Sequence, residues 1–183
     1  AGGDGIDVVS GGGINLTTNA AVVGDPGVVL TDNSAVGITY NDNADVTGDL
    51  DGIKATENGT GNVTIAVASP AAVLGDKDAN GSGNGITATG TTGVVKVTTA
   101  AGSTVKGSNG IVVTSSGAAA AIEVITIDAD GTTTATTAEG ISASVSSGAS
   151  LGQIKVTGDG DIVSQGAGIQ VGNAGAGKST VTY

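Results

Sequence analysis

The chain contains no cysteine, histidine, arginine, methionine, tryptophan or phenylalanine, and Tyr40 and Tyr183 are its only aromatics. Without cysteine there is no disulfide framework and no thiol chemistry. Without large aromatics a compact globule has little to fill a thick core with. Six lysines stand against seventeen acidic residues, a net charge of −11. That balance disfavours nucleic acid and anionic membrane surfaces, both of which need a cationic footprint. No apolar run is long enough to span a bilayer, and no basic-then-apolar leader is visible, so any export signal is expected to lie outside this sequence. The missing histidine and arginine also empty the usual catalytic inventory. Lys54, Lys77, Lys96, Lys106, Lys155 and Lys178 are dispersed, and we expect them on outward strand faces; no enzyme is expected.

Glycine, by contrast, is plentiful at 34 residues. Seven times it is followed by Ile or Val at the start of a β-branched run: Gly5-Ile6, Gly27-Val28, Gly52-Ile53, Gly85-Ile86, Gly110-Ile111, Gly140-Ile141 and Gly168-Ile169. The mean spacing is about 27 residues, within the range of solenoid repeats. Each unit holds three short runs of period two, such as GIKA, VTIAV and AAVL in the third. Such alternation rich in Val, Ile and Thr reads as half-buried strand. Asn, Asp, Ser and Gly clusters between the runs supply corners.

Three runs per anchor predict an all-β, three-faced parallel β-helix (a β-solenoid) of about seven coils, one continuous body over residues 1–183. At one strand spacing per coil it would be about 34 Å long. The anchors' Ile and Val should form one inward row, and Leu16, Ile38, Ile65, Val97 and Val156 another. A single coil cannot close a core, so folding should depend on neighbours. Uncapped coil ends are pairing templates, from which we expect a piece of a longer protein, or else a subunit that stacks end to end.

Several patterns invite chemistry. Gly-Asp recurs at Gly3-Asp4, Gly24-Asp25, Gly48-Asp49, Gly75-Asp76 and Gly158-Asp159, and in register these carboxylates would line one edge. Asp42, Asp45, Asp49 and Asp51 form a local acidic cluster, the candidate ligands if calcium binds. Calcium takes six to eight converging oxygens, however, and neither an EF-hand loop nor a Gly-Gly-x-Gly-x-Asp repeat is read in the sequence. No cofactor is therefore expected, and turn Asp facing solvent is the favoured reading. Gly172 to Ser179 fits the P-loop frame, yet a strand-like Thr180-Val181-Thr182 follows where a helix is needed. Thr17, Thr39, Thr98 and Thr157 suggest an outward hydroxyl column interrupted at Ala66. The longest excursions, Asp76 to Asn84 and Gly117 to Ala121, are the expected interaction loops, with Asp76, Lys77, Asp78, Asn80 and Asn84 as binding-loop candidates.

The order D-G-I-x-A/V, V-x-I/V, A-x-V, then Gly-Asp, as in DGIKATENGTGNVTIAVASPAAVLGD from Asp51 to Asp76, resembles passenger domains of bacterial autotransporter adhesins. The resemblance spans essentially the whole chain. It implies a right-handed β-helix, exported through the outer membrane and displayed extracellularly on the bacterial surface. It also implies a C-terminal translocator barrel, absent from these residues. The function so implied is a structural and adhesive stalk attaching to a host or surface receptor or to matrix, without inserting in the membrane itself. The alternative is a self-assembling filament or biofilm-matrix subunit whose partners are like chains.

Overall fold

The computed structural model describes residues 3–117 and 123–183. The chain winds in successive turns of three strands. The first three turns are β1 (Ile6–Ser10), β2 (Ile14–Thr18) and β3 (Val22–Gly24); β4 (Val28–Asp32), β5 (Gly37–Asp42) and β6 (Val46–Gly48); and β7 (Ile53–Glu57), β8 (Asn62–Val67) and β9 (Ala72–Leu74). The next two are β10 (Ile86–Gly90), β11 (Val95–Thr99) and β12 (Thr104–Gly107); and β13 (Ile111–Ser115), β14 (Glu123–Ala129) and β15 (Thr132–Ala135). Then come β16 (Ile141–Val145), β17 (Gln153–Thr157) and β18 (Ile162–Val163), followed by β19 (Ile169–Asn173) and β20 (Ser179–Thr182). Among the described residues there is no helix.

Every third strand pairs in parallel with its counterpart on the neighbouring turn. The result is three sheets of seven, seven and six strands, which we term A (β1 onward), B (β2 onward) and C (β3 onward). The protein is a three-faced parallel β-helix. The anchor row runs as expected: Ile6, Val28, Ile53, Ile86, Ile111, Ile141 and Ile169 are register partners in sequence along sheet A. Its five middle members are fully buried.

The second expected row needs one correction. Leu16 is opposite Tyr40, not Ile38, and the row continues through Ile65, Val97, Ile127 and Val156. Ile38 lies two residues earlier on the same inward face, in the row of Ile14 and Val63. A large aromatic thus takes an aliphatic position, and its hydroxyl is accommodated by Thr18 Oγ1 at 3.0 Å and Asp42 Oδ1 at 3.2 Å.

Why the anchor is glycine follows from the corner between sheets C and A. The backbone N–H after each of the first six anchors donates to the carbonyl of the next anchor, as Ile53 N does to Gly85 O at 3.0 Å. A Cβ on Gly52 would lie 2.7 Å from that same carbonyl oxygen and 2.7 Å from Val73 Cγ1 on sheet C. None of the anchors has positive φ. What they need is clearance rather than left-handed backbone. Positive φ is instead found at Gly13 and Gly37, which turn the chain from sheet A into sheet B.

Gly85→Ala is therefore expected to cost about 1–3 kcal/mol by overpacking, because its Cβ would meet Val105 Cγ1 at 2.5 Å and Gly110 O at 2.7 Å. Gly12→Ala, with nothing within 4 Å, should leave stability nearly unchanged. Denaturant unfolding of the two variants checks the contrast.

Candidate functional site

The excursion from Asp76 to Asn84 leaves the corner between sheets C and A, but it hugs the rod instead of projecting from it. Asp76 N donates to Leu50 O at 2.9 Å and Lys77 N to Gly48 O at 3.1 Å, tying the loop to the preceding turn. Farther on, Ser108 Oγ donates to Gly81 O at 3.0 Å. Thr136, two turns beyond the start of the loop, offers its hydroxyl to Asp76 Oδ2 at 3.4 Å. The five candidate residues therefore divide. Asp76 is 5 % exposed, and Asn84 bridges Asp51 through its backbone N–H and Asn109 through its side chain. Both are framework. Lys77, Asp78 and Asn80 are exposed and form the displayed surface. In the other excursion, residues 118–121 lie outside the described residues.

The loop carries a signal that the sequence reading passed over. Asp76-Lys77-Asp78-Ala79-Asn80-Gly81 is the first half of the EF-hand frame D-x-[DN]-x-[DN]-G. Its turn is formed: Gly81 N donates to Asp76 Oδ1 at 2.9 Å, and Ser82 N to Asn80 Oδ1 at 2.9 Å. The twelfth position of that frame, where the bidentate Glu belongs, is Thr87, on β10. Asp76, Asp78 and Asn80 are the side chains a cation would draw on. Asn80 Nδ2 is meanwhile bonded to Asp78 Oδ2 at 2.8 Å, so the turn closes on its own hydrogen bonds.

The earlier calcium candidates are not brought together. Among the described residues no group of three or more Asp, Glu, His or Cys side chains is placed to hold a metal ion. Asp42 points into the core. Asp45 Oδ1 accepts the Ala72 N–H and Asp51 Oδ1 the Asn84 N–H, each at 3.0 Å, while Asp49 is half-exposed. The Gly-Asp column also breaks. Gly24 and Gly48 are register partners at the corner of sheets C and A, but Gly158-Asp159 sits between β17 and β18, at the corner of B and C. What corner carboxylates share is a role. Asp25 Oδ1 accepts Leu50 N and Asp130 Oδ1 accepts Asp159 N, as Asp45 and Asp51 do, each from the following turn. They satisfy backbone donors that the corner leaves over.

The P-loop frame is ordinary corner. Gly172 ends in β19, Ser179 opens β20 opposite Ile154, and Asn173 Nδ2 donates into the turn to Gly177 O at 3.0 Å. The hydroxyl column is likewise corrected: Thr39 is two residues out of line, and the register reads Thr17, Asn41, Ala66, Thr98, Asp128, Thr157 and Thr182.

Two buried acidic groups were not foreseen. Asp32 and Glu57 are register partners at the ends of β4 and β7, and both are fully buried. Burial alone would raise Asp32, but hydrogen bonds from Ser34 Oγ at 2.7 Å, Gly13 N at 3.1 Å and Gly37 N at 3.0 Å hold it below the usual carboxylate range. Burial raises Glu57, and the Asp32 charge beside it raises it further, despite the Gly59 N–H at 2.7 Å. Asp42 is raised by burial too, against the hydroxyls of Thr18 and Tyr40.

These directions fix the pH dependence. A raised folded value means the native state holds its proton more tightly than the unfolded chain does. Glu57 and Asp42 therefore subtract stability as pH rises from the ordinary carboxyl range, about 4, through their folded values. Asp32 acts oppositely, its contribution being lost as pH falls through its lowered value. Glu57→Gln should keep a donor beside Asp32 and flatten the loss, leaving the variant more stable than wild type at neutral pH. Unfolding midpoints measured between about pH 4 and about pH 7 check this; a wild-type slope retained in the variant would show that Glu57 is not its source.

No known protein family, curated protein or solved structure matches this chain.

Proposed function

We propose that this chain is a rigid spacer with an attachment surface, a segment of an extracellular bacterial stalk of the autotransporter-adhesin kind. The observation that carries the reading is the continuous parallel stacking of strands, along sheets A and B over seven turns and along sheet C over six, with one register shift at Glu123/Ile125 in sheet B. Such a body contacts only its neighbours along one axis, and its curvature and length are set by repetition. It suits holding surface features at a distance better than enclosing a substrate. Display at the cell surface rests on the sequence resemblance. The loop face at Lys77, Asp78 and Asn80 is the first attachment candidate, because these side chains can vary without touching the core.

Replacing residues 77–82 with a short Gly-Ser turn should leave the unfolding midpoint within a few degrees of wild type. It should lower attachment of protein-coated beads to host cells or matrix. Unchanged attachment removes the loop from the reading. Electron microscopy of the purified protein separates it from the filament alternative: discrete short rods are expected, and indefinite fibres would favour self-assembly.

A further inference from the structure

Two recesses of about 260 and 230 Å³ lie end to end along the corner where sheet B turns into sheet C. They share Asp128 and Asp130, so together they make one groove parallel to the rod axis, reaching from Asn41 on the second turn to Tyr183 beyond the last strand. One wall is the outward column Asn41, Ala66, Thr98, Asp128, Thr157 and Thr182 just described. The other is the first residues of each corner.

We infer that this groove binds an extended amine-bearing oligosaccharide, an amino-sugar chain lying along the rod. The walls decide between classes of occupant. An added peptide strand would need free main-chain donors and acceptors, but β11, β14 and β17 are each paired on both sides. What remains is hydroxyl, carboxamide and carboxylate groups with alanine methyls between them, repeated at one strand spacing, about 4.8 Å. That alternation of polar points and small apolar patches suits a sugar chain with equatorial hydroxyls. Tyr183 adds a ring at one end, half-exposed and anchored by its hydroxyl donating to Ala129 O at 2.7 Å.

Charge selects within the sugars. Asp128, Asp130 and Asp159 line the groove and no lysine does. Asp128 Oδ1 accepts the Thr157 hydroxyl at 2.8 Å and Asp130 Oδ1 the Asp159 N–H at 3.1 Å. The second oxygen of each has no partner among the described residues. Burial, and then the same carboxylates Asp130, Asp128 and Asp159 together with Asp161, push the Tyr183 phenol at the end of the groove up to about 12. Uronic-acid chains are repelled here and ammonium groups are attracted.

The inference goes beyond the loop reading, because the groove lies at the corner of sheets B and C and the loop at the corner of C and A. Its test uses purified protein, so it fails or succeeds separately from attachment to cells. Calorimetric titration with a glucosamine hexamer should show binding that weakens with added salt. The N-acetylated hexamer should bind about tenfold or more weakly. The double variant Asp128→Asn/Asp130→Asn should lose a similar factor, whereas Asp7→Asn on sheet A should not. Circular dichroism confirms that both variants remain folded. Equal binding of the two hexamers overturns the charge argument. Hexalysine binding as tightly as the glucosamine hexamer overturns the assignment to a sugar. No binding of either hexamer overturns the inference as a whole.

Discussion

One contact repeats at every turn: an Ile or Val N–H reaching the carbonyl of the glycine one coil away, through the space where that residue's own preceding glycine has no side chain. The bond and the clearance are two aspects of a single approach. A methyl group there would push against both the neighbouring coil and the β-branched row Val22, Val46, Val73, Val105, Thr133 and Ile162 lining sheet C. Tight closure of this corner lets a core without Phe or Trp be closely packed. The cross-section is small enough that Val, Ile, Leu and Ala fill it, each buried aliphatic contributing about 1.5–3 kcal/mol. On sheet A the Ile and Val anchor row runs beside a second inward row of mixed size, Leu30, Ala55, Ala88, Val113 and Ala143, all buried.

The acidic excess has a structural account as well. Corners in a parallel helix leave backbone donors that no strand claims. Asp25, Asp45, Asp51 and Asp130 each accept one from the next turn. Asparagine does the side-chain equivalent, with Nδ2-to-Oδ1 bonds from Asn43 to Asn19, Asn58 to Asn33 and Asn109 to Asn84. Charge at these places is a by-product of choosing short acceptors with the right reach. The same residues then set the surface potential along which any ligand must approach.

The architecture was legible because its determinants are periodic. Seven glycine anchors and a period-two alternation leave little freedom, and the anchor row came out in the register read from spacing. Registers broke where spacing carries no information. Ile38 and Leu16 fall out of line because their runs differ in length, and no periodicity marks Tyr40 as the inward partner of Leu16, its hydroxyl held between Thr18 and Asp42. Gly158-Asp159 looked like its fellows because a dipeptide does not say which corner it occupies. The buried Asp32 and Glu57 pair could have been suspected, since both stand at the fifth position of an anchor strand, an inward one by alternation. Of the groove, only part of one wall was legible, the outward Ala66, Thr98 and Thr157. The groove is made by residues from six different turns that are neighbours only once the coil is wound, and no local sequence pattern marks the whole of it.

Winding has a mechanical consequence. The bonds between turns run along the rod, so a load that peels the outermost turn breaks that turn's rungs while the rest stay seated. Each turn released would pay out about 90 Å of extended chain, from about 27 residues, before the next is stressed. The object is stiff under small forces and yields in steps under large ones, with every step exposing the open edge of the next turn. A tether of this construction dissipates a tug by lengthening.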